Sequence, residues 1–196
     1  MPKIIENIRE RLLEEAKCQV MEKGYSSMTI RSVAKACGVS VGTVYNYFPS
    51  KDMLVAGFML EDWQQCMERI VVFCRTGEGA GKYIKEEDCI KFDNECLHSR
   101  SSEAVLQCVY EVLSVFISKY TALFKDESAV ANFAAVFPKR HEQLRSQIAE
   151  PLKEVCRRQS RADADFLAVF IAENMLIWTL AGRSFEEISS IILQLL

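Results

Sequence analysis

Apolar residues recur at three- and four-residue steps along most of the chain, and no strand-like alternation of useful length occurs. Over residues 4–22, Ile5, Ile8, Leu12, Leu13, Ala16 and Val20 form one helical face, and Gly24 is a natural stop. Thr29 is placed to cap a second helix whose inner face is Ile30, Val33, Ala34 and Cys37, ended by Gly38. Ser40 can cap a third, short helix reaching about Tyr45 to Tyr47. Pro49 stops it, and Ser50 can cap a fourth helix over about 51–75, with Asp52 in its first turn.

Three Gly between positions 76 and 81 predict a loop. A weaker helix is expected over 83–97. A strong one is expected over 102–124, where Val105, Cys108, Val109, Val112, Leu113, Phe116, Tyr120 and Leu123 make a continuous stripe. Residues 128–137 read as helical. Pro138 suits the first position of a further helix reaching about 159, which Pro151 should kink. Over 162–181, Phe166, Val169, Phe170, Ile177 and Leu180 fill one face while Leu167, Ile171, Met175 and Trp178 fill another. A helix apolar nearly all round needs cover on both sides, and a second subunit can supply one of them. Gly182 ends it, and 185–196 read as a last amphipathic helix with Phe185, Ile188, Ile191, Ile192 and Leu195 on its apolar face. The expected fold class is all-α, with about nine helices.

Composition agrees: among 196 residues, 49% are hydrophobic and 26% charged, with eight Gly and four Pro, which excludes a disordered or low-complexity chain. Charge is uneven. Residues 1–51 hold eight Lys/Arg against five acids, net +3, whereas the remainder holds 16 against 22, net −6. No acid occurs between Gly24 and Lys51, a segment suited to a polyanion. The eight Cys form no CxxC pair, and Met1 to Ile8 lacks the apolar stretch of a secretory signal. Reduced thiols in a soluble cytoplasmic protein are the expectation. The apolar run 166–180 is broken by Glu173 and Asn174 and falls short of a membrane span.

Two short helices joined by Cys37-Gly38-Val39-Ser40, acid-free and preceded by a longer helix, make a helix-turn-helix. Gly38 supplies the left-handed backbone of the turn. Val33, Ala34, Val39 and Val44 would hold the pair together. The second helix then offers Val41, Gly42, Thr43, Tyr45, Asn46 and Tyr47 outward, short polar or aromatic groups able to meet base edges and phosphates.

The stretch from Thr29 to Lys51, with the core GVSVGTVYNYFPSK from Gly38, resembles the DNA-binding domain of TetR/AcrR-family transcriptional regulators over roughly residues 5–60. The resemblance implies a three-helix DNA-binding domain over 1–50 and a helical effector-binding and dimerisation domain over 51–196. It implies phosphate contacts from Thr29 and Arg31, phosphate and base-edge contacts from Thr43, Tyr45 and Tyr47, and phosphate neutralisation by Lys51 at the start of the fourth helix. Val41, Gly42 and Asn46 fall at base-reading positions, and Asn46 has the chemistry to pair bidentately with adenine. Phe48 is expected to pack.

The family also implies a homodimer on pseudo-palindromic double-stranded DNA, a small-molecule effector, and release of DNA when the effector binds. Leu167, Ile171, Met175, Trp178, Ile188 and Ile192 are the expected dimer residues. Trp63, Met67, Phe92, Tyr110, Phe116, Phe133, Phe137 and Trp178 are the expected effector-pocket lining, although aromatic and Met residues at helical spacing are commonly core.

Other chemistries fit less well. Cys89 and Cys96, near His98, are seven residues apart, about 10.5 Å on an intact helix, too far for one zinc or a disulfide. Neither a metal nor a cofactor is expected. The two His lie in no nucleophile motif, and no phosphate loop, HExxH or GxSxG occurs, so an enzyme is not expected. The alternative is a helix-turn-helix activator, or a regulator answering a protein partner or thiol oxidation.

Overall fold

The computed structural model describes residues 7–76, 101–136, 140–158 and 163–196, and every regular element among them is α-helical. The first four helices are α1 (Ile8–Lys23), α2 (Ile30–Ala36), α3 (Val41–Tyr47) and α4 (Lys51–Thr76). They are followed by α5 (Ser102–Phe124), α6 (Glu127–Val136), α7 (Arg140–Arg158), α8 (Ala164–Leu180) and α9 (Phe185–Leu195). The helix expected over 83–97, the start expected at Pro138, and Cys89, Cys96 and His98 lie outside the described residues. α7 runs on through Pro151.

Local chemistry sets most of the helix starts. Thr29 Oγ1 accepts from Ser32 N at 3.0 Å while Ser32 Oγ accepts from Thr29 N at 3.1 Å, a reciprocal cap for α2. Ser40 Oγ accepts from Thr43 N at 3.0 Å for α3, and Ser50 Oγ from Met53 N at 3.1 Å for α4. Ser184 and Glu187 form a second reciprocal cap at α9. Each such cap contributes about 1 kcal/mol. α1 differs: it begins at Ile8, behind Asn7 in the left-handed region at φ 58° and without a side-chain cap.

Packing divides the chain into two units, one of Met1–Trp63 with Tyr120–Pro138, the other of Gln64–Lys119 with Lys139–Leu196. This partition follows contacts, whereas a boundary at residue 50 follows the motif. The first unit buries Leu12, Leu13, Ala16, Val33, Ala34, Val44, Leu54, Val55 and Phe58. α4 lies close on α1 at Gly57, where a Cβ would stand 2.7 Å from Leu13 Cδ2 and 3.2 Å from the Phe48 ring. A polar cluster is set into this packing. Asp62, almost wholly buried, accepts from Lys17 Nζ at 2.7 Å and from Tyr120 Oη at 2.5 Å, tying α1, α4 and α5.

The second unit is centred on α5, α7, α8 and α9. The stripe expected on α5 is buried from Val105 to Phe116, and α7 packs along α8. Burial in the protomer separates the two faces of α8 and α9. Ile171, Met175, Ile188 and Ile192, expected at a subunit interface, are buried inside the protomer, and Leu167 and Trp178 are half-buried. The small residues Ala168 and Ala172 share that inner face. The opposite face carries Phe166, 68% exposed, with Phe170, Ile177 and Leu180, and on α9 Ile191 and Leu195 are also exposed.

Candidate nucleic-acid interface

The helix-turn-helix is assembled as its pattern requires. α2 packs on α1 and α3 through Val33, Ala34 and Val44, all fully buried, with Val39 half-buried. Gly38 takes φ 69°, and the amide of Val39 donates to Ala34 O at 3.0 Å, closing α2 as the chain turns. A side chain at Gly38 would force that left-handed geometry on an L residue, which costs about 1–2 kcal/mol. Arg11 Nη2 reaches Cys37 O at 3.2 Å and fixes the same turn to α1.

On the outer side of α3, Tyr45 is 50% and Tyr47 46% exposed, flanked by exposed Gly42 and Asn46 and half-buried Val41 and Thr43. Tyr45 is therefore a surface residue and not part of the core beneath the motif. Thr43 Oγ1 lies 2.8 Å from Ser40 Oγ, so its hydroxyl also serves the start of the helix. Thr29 and Arg31 are exposed at the start of α2, where Thr29 doubles as its cap. Phe48 is buried as expected, with the Arg9 guanidinium 5.8 Å over its ring.

Lys51 departs from a simple surface cation. It is half-buried at the first position of α4, and its Nζ stands 4.0 Å from the centroid of the Tyr25 ring. Burial pushes the Lys51 ammonium down, opposed by the nearby charges of Asp52 and Asp126. Tyr25 is itself 5% exposed, its hydroxyl donates to Asp52 Oδ1, and it accepts from Asn132 Nδ2 of α6 at 3.1 Å. Burial, then the bond to Asp52, pushes the Tyr25 phenol up to about 12. The motif does not signal this arrangement. Tyr25 precedes α2, and Asn132 lies 107 residues further on, so only tertiary structure brings them to Lys51.

Among the described residues, the expected effector residues lie on α4, α5, α6 and α8. Trp63 and Phe116 are buried, and Met67 and Trp178 are half-buried. Tyr110 serves a different purpose. Its hydroxyl donates to Arg183 O at 3.0 Å, and its ring lies 5.6 Å from that of Phe185, bracing the turn between α8 and α9. Phe92, Phe137 and the side chain of Phe133 lie outside the described residues. A surface cleft of about 310 Å³ is lined by Arg11, Glu14, Glu15, Cys18, Ala36 and Cys37, none of them an expected effector residue.

The thiols of Cys37 and Cys156 are pushed up by burial, and that of exposed Cys18 by its hydrogen bond to Glu22. Those shifts disfavour the thiolate that a redox-sensing cysteine needs. Among the described residues no cluster of three or more metal-ligating side chains occurs, and no helix is long and apolar enough to cross a membrane.

Comparison with known proteins agrees with this geometry. Residues 12–57 match the family described as bacterial regulatory proteins, tetR family. The HTH-type transcriptional regulator UidR of Escherichia coli K12 is 33% identical over 61 residues, which is 31% of this chain and 31% of UidR. The chain thus matches about a third of the length of that curated relative. Two solved structures share the fold along nearly the whole chain. The TetR family repressor AlkX of a Dietzia strain superposes with a TM-score of 0.59 at 16% identity, over 93% of this chain and 92% of AlkX. FadR of Thermus thermophilus, a TetR family transcriptional repressor solved with lauroyl-CoA, does so with a TM-score of 0.52 at 21% identity, over 95% and 92%. Over residues 12–57, the N-terminal helix-turn-helix domain is thus similar to that of the tetR family of bacterial regulatory proteins.

Proposed function

We propose that this protein is a cytoplasmic transcriptional repressor that binds a pseudo-palindromic operator as a homodimer and lets go when a small molecule binds. The observation that carries the reading is the outer face of α3. It presents Tyr45, Asn46 and Tyr47 from a capped helix, within a segment free of acidic residues from Gly24 to Lys51. Such a helix fits the major groove, where side chains reach base edges while flanking cations and hydroxyls meet phosphates. In this arrangement Val41, Gly42 and Asn46 face bases, Thr43, Tyr45 and Tyr47 meet phosphates and base edges, and Thr29, Arg31 and Lys51 meet phosphates.

The exposed apolar face of α8 and α9 supports the dimer. Phe166, Phe170, Ile177, Leu180 and Ile191 form a surface that a second copy can cover by two-fold pairing. Two α3 helices then meet successive major grooves about 34 Å apart. Repression is the activity named for AlkX and FadR, and FadR was solved with a small molecule bound. The effector of this chain is a small molecule of its own, in the domain that follows residue 51.

Selection from a pool of random duplex DNA at two salt concentrations tests the reading. An enriched inverted repeat, bound more weakly as salt rises, is the expected result. A folded dimer that enriches no sequence, with or without added metabolites, contradicts it.

A further inference from the structure

A lysine side chain is long and flexible, so an ammonium left to itself searches many positions before it meets a phosphate. Lys51 is not left to itself. Its Nζ rests 4.0 Å from the centre of the Tyr25 ring, a geometry in which the face of the ring attracts the cation without using any of its N–H donors. The ring is fixed in turn. Its hydroxyl donates to Asp52 Oδ1, and Asn132 Nδ2 donates to Tyr25 Oη at 3.1 Å and approaches Asp52 Oδ1 at 3.5 Å. The surrounding loop is held by Met28 N to Tyr25 O at 3.3 Å and by Ser26 Oγ to Asp126 Oδ2 at 3.2 Å. A continuous set of contacts therefore runs from α6, through one buried phenol, to the cation at the start of α4.

We propose that Tyr25 is a positioning residue for DNA binding: its ring holds the Lys51 ammonium ready for a phosphate, and its hydroxyl makes that placement depend on Asn132 of α6. The inference rests on the DNA-binding reading of α3 and deepens it. Lys51 touches the phosphate, whereas Tyr25 and Asn132 act through Lys51. A displacement of α6 would then alter the charge presented to DNA through side chains alone.

The test uses the full-length chain and its selected duplex, with operator affinity measured across a salt series. Circular dichroism melting verifies that each variant is folded at the assay temperature. Each phosphate neutralised adds about 0.9 to the slope of log affinity against log salt, so losing Lys51 from both protomers flattens it by about 1.8. Lys51→Met and Tyr25→Leu are expected to flatten the slope equally, and the double variant no further. Tyr25→Phe keeps the ring and should keep the slope, while weakening binding about two- to tenfold at fixed salt. Asn132→Ala should do the same, and combining it with Tyr25→Phe should add nothing.

A folded Tyr25→Leu protein with the wild-type slope overturns the proposal. So does an Asn132→Ala effect that is absent, or that adds fully to Tyr25→Phe. Should Tyr25→Leu fail to fold, the Tyr25→Phe and Asn132→Ala cycle decides, together with the ring-current shift of the Lys51 ε protons by NMR. That shift is expected in the wild type and in Tyr25→Phe, and its absence from the wild type overturns the proposal. If the wild type binds with a steep slope that Lys51→Met leaves unchanged, this inference alone fails. If the wild type binds no duplex at all, the DNA-binding reading fails and takes the inference with it.

Discussion

Both α3 and α8 leave large side chains in solvent, but the two surfaces are built from different chemistry. On α3 the exposed rings are Tyr45 and Tyr47, each ending in a hydroxyl, with the amide of Asn46 between them. On α8 the exposed groups are Phe166, Phe170, Ile177 and Leu180, which carry no polar atom beyond the backbone. The first surface is content in water and gains a partner through hydrogen bonds and charge. The second is costly in water and gains a partner by burial. Exposure of aromatic residues therefore does not name the partner. The chemistry of each side chain does: the hydroxyls and amide of α3 suit a polar, charged partner, and the hydrocarbon side chains of α8 suit burial against an apolar one.

The most disruptive test of this contrast is to charge the α8 surface. Phe170→Glu combined with Ile177→Glu should leave the protomer folded and dissociate the dimer. Operator affinity should then fall by at least about 100-fold, since each head loses the high effective concentration its mate provides. Sedimentation and operator titration read the two effects.

A pair of neighbouring substitutions sharpens the assignment of faces. Met175→Ala should cost about 2–5 kcal/mol in denaturant unfolding, because it opens a cavity at a fully buried position. Ile177→Ala, two residues on and exposed, should leave the unfolding free energy of the protomer nearly unchanged and raise the dimer dissociation constant read by sedimentation. The reverse pattern would return the interface to the Met175 face.

On α3, Tyr47→Ala should weaken operator binding by about 1–3 kcal/mol, with little change in melting temperature because its ring is half in solvent. The smallest effect is expected at Gly57→Ala. The overpacking against Leu13 and Phe48 costs about 1–3 kcal/mol, partly offset by about 1 kcal/mol of helix propensity. A net loss of about 1 kcal/mol in unfolding free energy is expected. A stabilised variant would show that α1 and α4 have room to part.

The same contrast explains what can be read from sequence. Thr29, Gly38, Ser40 and Ser50 act within three or four residues of themselves, so the starts of α2, α3 and α4 and the intervening turn are legible without any tertiary contact. The stripe on α5 is legible because Val105, Val109, Val112, Phe116, Tyr120 and Leu123 recur at three- and four-residue steps. α8 is not, because an all-apolar helix has periodicity without phase: either face satisfies the pattern. The signal that separates the faces is Ala168 and Ala172, small residues that lie on the buried side.

The effector residues are illegible for a related reason. Trp63 and Phe116 are buried, and an aromatic residue at helical spacing reads the same whether it fills core or lines a pocket, while the hydroxyl of Tyr110 donates to Arg183 O. The Tyr25–Asn132 contact joins residues 107 apart and leaves no local trace.

The central claim is that two copies of α3, joined through α8 and α9, read one inverted repeat. Sedimentation of the protein with its selected duplex tests it directly. The account predicts a complex of two protomers per duplex that vanishes when Phe170 and Ile177 are both replaced by Glu. A stable complex of one protomer per duplex, unaffected by those substitutions, would contradict it.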